Sequence, residues 1–178
     1  MSIISGGKVI EGAIGEPYLV AGAPSAGTDC VQTITIGGTP TGGTFTLTFM
    51  GKTTAAIAWN ATNNTLRDNV DAALEALSTI GTGGVTTAVG TMTAGIGTLT
   101  VTFAGNLTKA VLPVMTADGT LLTGTSPTVA VAITTPGVDA TGRGAGIGQL
   151  LVDSTNGKLY INSGTALSPT WTVVGSQS

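Results

Sequence analysis

One stretch departs from the two-residue alternation that dominates the chain, and it reads Asn60-Ala-Thr-Asn-Asn-Thr-Leu-Arg-Asp-Asn-Val-Asp-Ala-Ala-Leu-Glu-Ala-Leu-Ser-Thr-Ile-Gly81. Its apolar residues recur at steps of three and four, which places them on one stripe of an α-helix. They are Leu66, Val70, Ala73, Leu74 and Leu77. The spacing predicts a helix over about residues 63–80, whose apolar stripe closes a β-rich core.

Both ends of this predicted helix carry signals in the sequence. Thr65 with Asp68 three residues later has the form of a capping box, and Thr62 is an alternative N-cap one turn earlier. Gly81 is a natural stop, because glycine tolerates the left-handed backbone geometry that often ends a helix. An ordinary amphipathic helix packed on a sheet is the expected arrangement.

The composition argues against two broad classes of protein. Charged residues make up 8% of the 178 residues, against about 25% in a typical soluble domain. Disordered chains combine high charge with low hydrophobicity, and this chain has the opposite combination. The apolar runs, such as Ala55–Trp59 and Val129–Ile133, are far shorter than the roughly 20 residues of a membrane span. We therefore expect no membrane partner, and so few charges suit a surface that is covered by neighbours.

Net charge and residue types argue against nucleic-acid binding and catalysis. The formal net charge is −3 and the sequence has no basic cluster, so we expect no nucleic-acid partner. The sequence contains no histidine, which removes the usual general base and the commonest metal ligand. Cys30 is the single cysteine and cannot form an internal disulfide. We predict no enzyme activity, no catalytic residues, no cofactor and no metal site.

Three short motifs that could hold a ligand each fail at a required position. Gly51–Thr53 resembles the end of a phosphate loop, but Thr46 stands where the first glycine belongs. Gly142–Gly148 misses the dinucleotide-binding spacing because of Ile147. Asp153–Gly157 lacks the glutamate that a calcium loop requires, and a hairpin turn explains this segment better.

Strand patterns dominate residues 31–136, for which we predict a mainly β, β-sandwich-like core that includes the helix. Val31–Ile36 alternates with period two, a Gly-Gly-Thr-Pro-Thr-Gly-Gly turn cluster follows, and Phe45–Phe49 resumes the alternation. Further predicted strands cover residues 53–59, 85–89, 97–103, 110–115 and 128–134, which glycine or proline punctuates. The side chains expected to face inward are Phe45, Leu47, Phe49, Leu66, Val70, Leu74, Leu77, Leu99, Val101 and Phe103.

The two ends of the chain are predicted to lie outside this core. Residues 1–30 mix short apolar pairs with glycine and proline, and we predict an extended N-terminal arm that docks on the core or on a partner. Residues 137–146 form a predicted glycine-rich linker. Residues 147–178 are predicted as a three-stranded β-meander, in which Asn156-Gly157 favours a type I′ turn. A meander of this size is marginally stable alone, so it packs on the core or on copies of itself.

Two stretches resemble structural proteins of tailed bacteriophages. Gly43–Ala117, with its Gly-Thr-Phe-Thr-Leu-Thr-Phe and Thr-Thr-Ala-Ala-Ile-Ala-Trp-Asn-Ala-Thr pieces, resembles a module of such virion proteins, notably in phages of actinobacteria. Gln149–Gly175, with Leu-Leu-Val-Asp-Ser-Thr-Asn-Gly-Lys-Leu-Tyr-Ile-Asn, is similar to terminal β elements of head fibre and decoration proteins. The small size and the absence of a long fibrous repeat favour a capsid decoration (cement) protein.

The resemblance implies a non-enzymatic protein that is made in the bacterial host cytoplasm and binds the major capsid protein on the outside of the virion. Its role would be to stabilise the shell. A tail or fibre-associated adhesion module, which contacts host surface glycans or receptors, is the alternative. A homotrimer would match the local three-fold axes of icosahedral shells.

Candidate contact residues are the larger apolar groups at the two ends of the chain. The candidates for the capsid contact are Ile3, Ile4, Val9, Ile10, Tyr18 and Leu19. The candidates for the oligomer interface are Leu151, Tyr160, Ile161 and Trp171. Aromatic groups are favoured in such interfaces. The alternative is that the meander folds back on its own core as an additional sheet.

Overall fold

The computed structural model describes residues 3–5, 8–10 and 17–176, with the backbone alone given for the first two segments. Strands make up 46% of the structure and helices 10%, which confirms the predicted mainly β, β-sandwich-like fold with one α-helix. The chain divides into two compact units. The first unit is Gly27–Asp139, and the second combines residues of 1–26 with residues of 140–178.

The described strands are β1 (Ile3–Ser5), β2 (Lys8–Ile10), β3 (Tyr18–Val20), β4 (Val31–Phe49), β5 (Lys52–Thr53), β6 (Ile57–Ala58), β7 (Val85–Thr93), β8 (Ile96–Phe103), β9 (Thr116–Asp118), β10 (Leu122–Thr135), β11 (Leu150–Asp153), β12 (Lys158–Asn162) and β13 (Trp171–Val173). Helix α1 spans Asn63–Glu75, and a 3-10 turn spans Gly105–Leu107. In the first unit the strand order is β10-β4-β8-β7, with antiparallel neighbours. The short strands β5, β6 and β9 also pair with β4.

Strand β4 runs without interruption through the glycine cluster that the sequence analysis predicted as a turn. That prediction is wrong, because the glycines let the strand bulge while it stays paired with β10. Gly38 and Gly43 have φ values of +71° and +86°. A Cβ atom at Gly43 would lie 2.2 Å from the carbonyl oxygen of Leu121, so the close approach of the two strands requires glycine there.

Helix α1 begins where the sequence predicts, and Thr62, the alternative N-cap of the sequence analysis, is confirmed at that position. Thr62 is the N-cap, but its side chain makes no capping hydrogen bond. Its N–H group instead donates to Asn60 Oδ1 at 2.8 Å. The predicted capping box of Thr65 and Asp68 is wrong, because Thr65 already lies inside the helix.

The helix ends at Glu75, before the predicted limit near residue 80. The N–H groups of Ile80 and Gly81 both donate to the carbonyl oxygen of Leu77, at 3.0 and 2.8 Å, and this closes a turn. Gly81 has a φ of +78°, which is the left-handed geometry expected of it. Leu77 is buried beyond the helix end. The apolar stripe in the sequence is therefore longer than the helix, because the following turn continues it.

The core of the first unit contains every side chain that was predicted to face inward. Leu66, Val70 and Leu74 are buried on helix α1, which contacts β6 and β7. The sheet contributes the buried side chains Phe45, Leu47, Phe49, Leu99, Val101 and Phe103. The rings of Phe49 and Phe103 lie 4.9 Å apart, within the range of favourable aromatic pairs.

Residues 110–115 do not form the predicted strand. Their backbone is held instead by Gln32, a glutamine fully buried on β4. Its Nε2 donates to the carbonyl oxygen of Pro113 at 2.9 Å, and its Oε1 accepts the N–H of Met115 at 2.8 Å. Because proline has no N–H group to donate to a ladder, a side-chain amide pairs with this segment where a strand was expected. The predicted strand over residues 53–59 is also reduced, to the two-residue strands β5 and β6.

The second unit contains a sheet with the order β13-β12-β11-β3. β3 runs parallel to β11, and the other neighbours are antiparallel. The three strands predicted near the C-terminus are thus joined by a fourth strand from the N-terminal part of the chain. The predicted type I′ turn is wrong, because it needs a positive φ at both central residues and Gly157, at +65°, has one while Asn156 does not.

We predict that Gly43→Ala destabilises the first unit more than Gly51→Ala does. Both glycines have positive φ values, +86° and +75°, so each substitution should cost roughly 1–2 kcal/mol through backbone strain. At Gly43 the new methyl group would also meet the Leu121 carbonyl oxygen, whereas at Gly51 no atom lies within 4 Å. Urea denaturation of the full chain measures both costs. Equal losses would contradict the close strand approach.

Candidate functional site

A buried carboxylate ties strand β3 to the turn between β11 and β12. The Asp153 side chain is fully buried, and its Oδ1 accepts the N–H groups of Gly22, Thr155 and Asn156 at 3.0, 2.9 and 3.0 Å. Its Oδ2 accepts Nδ2 of Asn156 at 2.6 Å. The Asn156 side-chain donor is the main cause that lowers the pKa of Asp153; burial opposes the shift and the backbone donors assist it. The carboxylate is therefore held in its charged form by four donors.

A second set of bonds attaches the end of β3 to the same turn. The carbonyl oxygen of Val20 accepts the N–H of Ser154 at 2.9 Å and its Oγ at 3.1 Å. In the ladder, Tyr18 lies opposite Leu151 and Val20 opposite Asp153. A strand of three residues offers few ladder bonds, so its position depends strongly on these contacts with the turn.

A buried amide performs a similar task at the other end of the sheet. Nδ2 of Asn162, on β12, donates to the carbonyl oxygen of Ala145 at 2.8 Å. Its Oδ1 accepts the N–H groups of Gly164 and Thr170, both at 2.9 Å. Loops before and after the strand are thus hydrogen-bonded to one side chain, as a buried polar group requires.

Trp171 makes its described contacts within the second unit. Its Nε1 donates to the carbonyl oxygen of Thr141 at 2.7 Å, and its ring meets the ring of Tyr18 edge-on, with centroids 6.3 Å apart. A Cβ atom at Gly142 would lie 2.7 Å from the indole. The indole is therefore packed against both β3 and the segment before β11. Part of the Trp171 side chain remains exposed.

Two of the six predicted capsid-contact residues can be placed with their side chains. Leu19 is 76% exposed and Tyr18 is 38% exposed, and both belong to the edge strand β3. The other four lie on the paired strands β1 and β2, with Ile3 opposite Ile10 and Ile4 opposite Val9. The side chains of those four lie outside the described residues. The capsid contact itself stays a prediction.

The four predicted oligomer-contact residues share one sheet but differ in exposure. Leu151 is fully buried and Tyr160 nearly so, so within this chain they serve as core. Ile161 is exposed and Trp171 is half-buried, so these two have surface outside the core. The oligomer interface stays a prediction, with Ile161 and Trp171 as the residues that remain available for it.

The sequence analysis missed the role of Asp153 and several exposed apolar side chains of the second unit. The exposed ones are Ile147, Leu167, Val173 and Val174. A signal for the carboxylate was present, because an aspartate followed by Ser-Thr-Asn-Gly is typical of a turn in which the side chain accepts backbone N–H groups. Its bond to Gly22 could not be found, since the two residues lie 131 positions apart.

Other kinds of site find little support in the described part of the chain. Within residues 17–176, no group of three or more histidine, cysteine, aspartate or glutamate side chains is placed to hold a metal ion. No helix of the described residues is long and apolar enough to cross a membrane. Cys30 is a free thiol in the core. The chain matches no protein-family model and no curated protein.

We predict that acid weakens the second unit through Asp153. Because the folded-state pKa of this carboxyl lies below its usual value, its contribution to stability is fully present above about pH 4, the unfolded value. That contribution is lost as the pH falls through the folded-state pKa. The measurement is hydrogen exchange of residues 18–22 at pH 6 and near pH 3, scaled for the intrinsic exchange rate. Asp153→Asn should lose protection of these amides already at pH 6.

Asp118→Asn is the matched control for this prediction. The pKa of Asp118 is also lowered, first by the backbone N–H of Thr120 and then by its side chain, but Asp118 belongs to the first unit. Its substitution should leave the exchange of residues 18–22 unchanged. Protection of β3 that does not fall in Asp153→Asn would contradict the assigned role.

Proposed function

We propose that this chain is a non-enzymatic structural protein of a tailed-bacteriophage virion. It binds the major capsid protein on the outside of the shell as a decoration protein and stabilises the shell. The proposal draws on the resemblance of Gly43–Ala117 and Gln149–Gly175 to phage virion proteins. It is also supported by the low content of charged residues, 8%, since a surface with few charges suits a protein that is covered by neighbours.

The observation that carries the proposal is the apolar edge strand β3. Leu19 is 76% exposed. Among the described residues, its strand β3 pairs with β11 on one side and with no strand on the other. Exposed edges with apolar side chains favour pairing with another chain, and covering one leucine contributes roughly 1.5–3 kcal/mol. Strands β1 and β2 lie in the same N-terminal part of the chain and contain further apolar residues. The N-terminal part is therefore the proposed capsid contact.

A tail or fibre-associated adhesion module is the second candidate. The resemblance to virion proteins supports this candidate as well. An adhesion module would occupy few sites on the virion, and its ligand would be a host surface glycan or receptor. A density map of the native particle separates the two. Copies spread over the shell support decoration, whereas density confined to the tail or to fibres would overturn it.

We predict that Leu19→Ser weakens binding to capsid shells. Shells that lack this protein are mixed with purified full-length chain, and the bound fraction is measured by co-sedimentation. Loss of one buried leucine, at roughly 1.5–3 kcal/mol, corresponds to about ten- to hundredfold weaker binding. Leu121→Ser is the matched control, because Leu121 is also exposed, at 68%, but lies in the first unit. Equal binding of both variants and of the wild type would contradict the proposed contact.

We further propose that the chain assembles as a homotrimer through the sheet of the second unit, and we predict that Ile161→Asp shifts it toward monomer. Ile161 is 38% exposed on β12, and a buried unpaired carboxylate strongly disfavours an interface. Ile133→Asp is the matched control, since Ile133 is 37% exposed on β10 of the first unit. Light scattering at micromolar concentration measures the mass. A wild-type monomer, or a trimer that survives in Ile161→Asp, would contradict this arrangement.

A further inference from the structure

We propose that Asn156-Gly157 is a site of spontaneous deamidation, and that the modification loosens strand β3 from the sheet of the second unit. The proposal is independent of the proposed function. It rests on the position of Asn156, whose side chain supplies one of the four donors to the buried carboxylate of Asp153.

The chemical step needs water and no other co-reactant. The backbone nitrogen of Gly157 attacks Cγ of Asn156, and a bond forms between them while the Cγ–Nδ2 bond breaks. Nδ2 leaves as ammonia and takes up the proton that the Gly157 nitrogen loses. Water then opens the resulting five-membered succinimide at either carbonyl group. The products are aspartate or isoaspartate at position 156, and no atom changes its oxidation state.

The local sequence and exposure favour this step at Asn156 over the other asparagines. Asn156 is the one asparagine in the chain that precedes a glycine, and the absence of a Cβ on the next residue leaves the attacking nitrogen unhindered. Both residues are exposed in the turn between β11 and β12. The other six asparagines, at 60, 63, 64, 69, 106 and 162, precede residues with side chains.

The product cannot make the contact that Asn156 makes. Nδ2 of Asn156 lies 2.6 Å from Oδ2 of Asp153, and deamidation replaces this donor with a second carboxylate. Asp153 is fully buried while residue 156 is exposed, so solvent screens only part of the repulsion between the two like charges. Isoaspartate also adds one backbone carbon between Cα of residue 156 and the nitrogen of Gly157, which changes the geometry of the turn that holds the N–H of residue 156 against Oδ1. The carboxylate is then drawn away from its remaining partners, among them the Gly22 N–H at 3.0 Å.

Deamidation of Asn156 should weaken the attachment of β3, because Asp153 and its neighbour Ser154 form the hydrogen bonds that hold that strand. Gly22 is bound to Asp153 directly, and Val20 is bound to Ser154. Loss of the turn geometry weakens both bonds at once. Deamidation of Asn156 therefore slowly loosens strand β3 from the sheet of the second unit.

The first experiment measures the reaction itself. The folded full-length protein is incubated at mildly alkaline pH, and peptide mass spectrometry follows each asparagine. We expect the mass change of deamidation, together with isoaspartate, to accumulate first in the peptide with Asn156, and to be slowed by Gly157→Ala. The Cβ of that variant meets no atom within 4 Å, but the φ of +65° at Gly157 adds backbone strain, so the variant is first shown to be folded. A folded chain in which Asn156 stays unmodified, while the unfolded chain reacts there, would overturn the proposal.

The second experiment measures the consequence by hydrogen exchange at neutral pH. Asn156→Asp should raise the exchange of the amides of residues 18–22, whereas Asn64→Asp, which adds the same charge to an exposed position in the first unit, should not. The exchanged pair Asp153→Asn with Asn156→Asp restores one donor and one acceptor and should recover part of the protection. The proposed loosening of β3 would be overturned if the exchange of these amides were unchanged in Asn156→Asp, or if Asn156→Asp and Asn64→Asp changed it equally.

Discussion

The first unit depends on one strand that has to pair with several partners in succession. β4 has 19 residues, and it bonds along its length to β10, β8, β6, β5 and β9. A regular strand of this length could not pair with all of these partners, because each change of partner requires a change of twist. The shifts in register against β10 at Gly38 and at Thr41 supply that change. Helix α1, which contacts β6 and β7, contributes its buried side chains to the same core as the apolar side chains of β4 and β8.

Buried polar side chains complete what the strands leave open. Gln32 takes the place of a strand beside residues 110–115, Asn162 binds loops on both sides of β12, and Asp153 binds β3 to a turn. In each case a side chain forms hydrogen bonds with backbone groups that would otherwise be buried without partners. Each backbone group left without a partner would cost about 1–3 kcal/mol. The irregular segments in the described part of the chain are therefore held by a few buried polar residues, and we expect substitutions of these residues to be destabilising.

The sequence predicted the parts of the fold that depend on local periodicity. The helix and all ten inward-facing residues were recovered, because steps of three, four or two decide which side chains share a face. The uninterrupted β4 was missed, since a glycine cluster has the same local composition in a turn and in a bulged strand. Helix α1 was extended too far because the turn after Glu75 continues its apolar stripe. Of the candidate site, Leu19 was selected from its apolarity and its role as a contact stays a prediction, whereas the bond between Gly22 and Asp153 joins distant positions that no local pattern relates.

The pairing of β3 with strands from the C-terminal part of the chain has a consequence for any partner that binds β3. Such a partner would contact a strand whose far side is held by a parallel ladder to β11 and by the carboxylate of Asp153. Parallel pairing of three residues is weak by itself, so the rigidity of the contact surface would derive from a turn that the partner does not touch. Under the proposed decoration role, the strength of attachment and the integrity of the β11–β12 turn are therefore coupled. A substitution in that turn would alter binding without removing a single contact to the capsid.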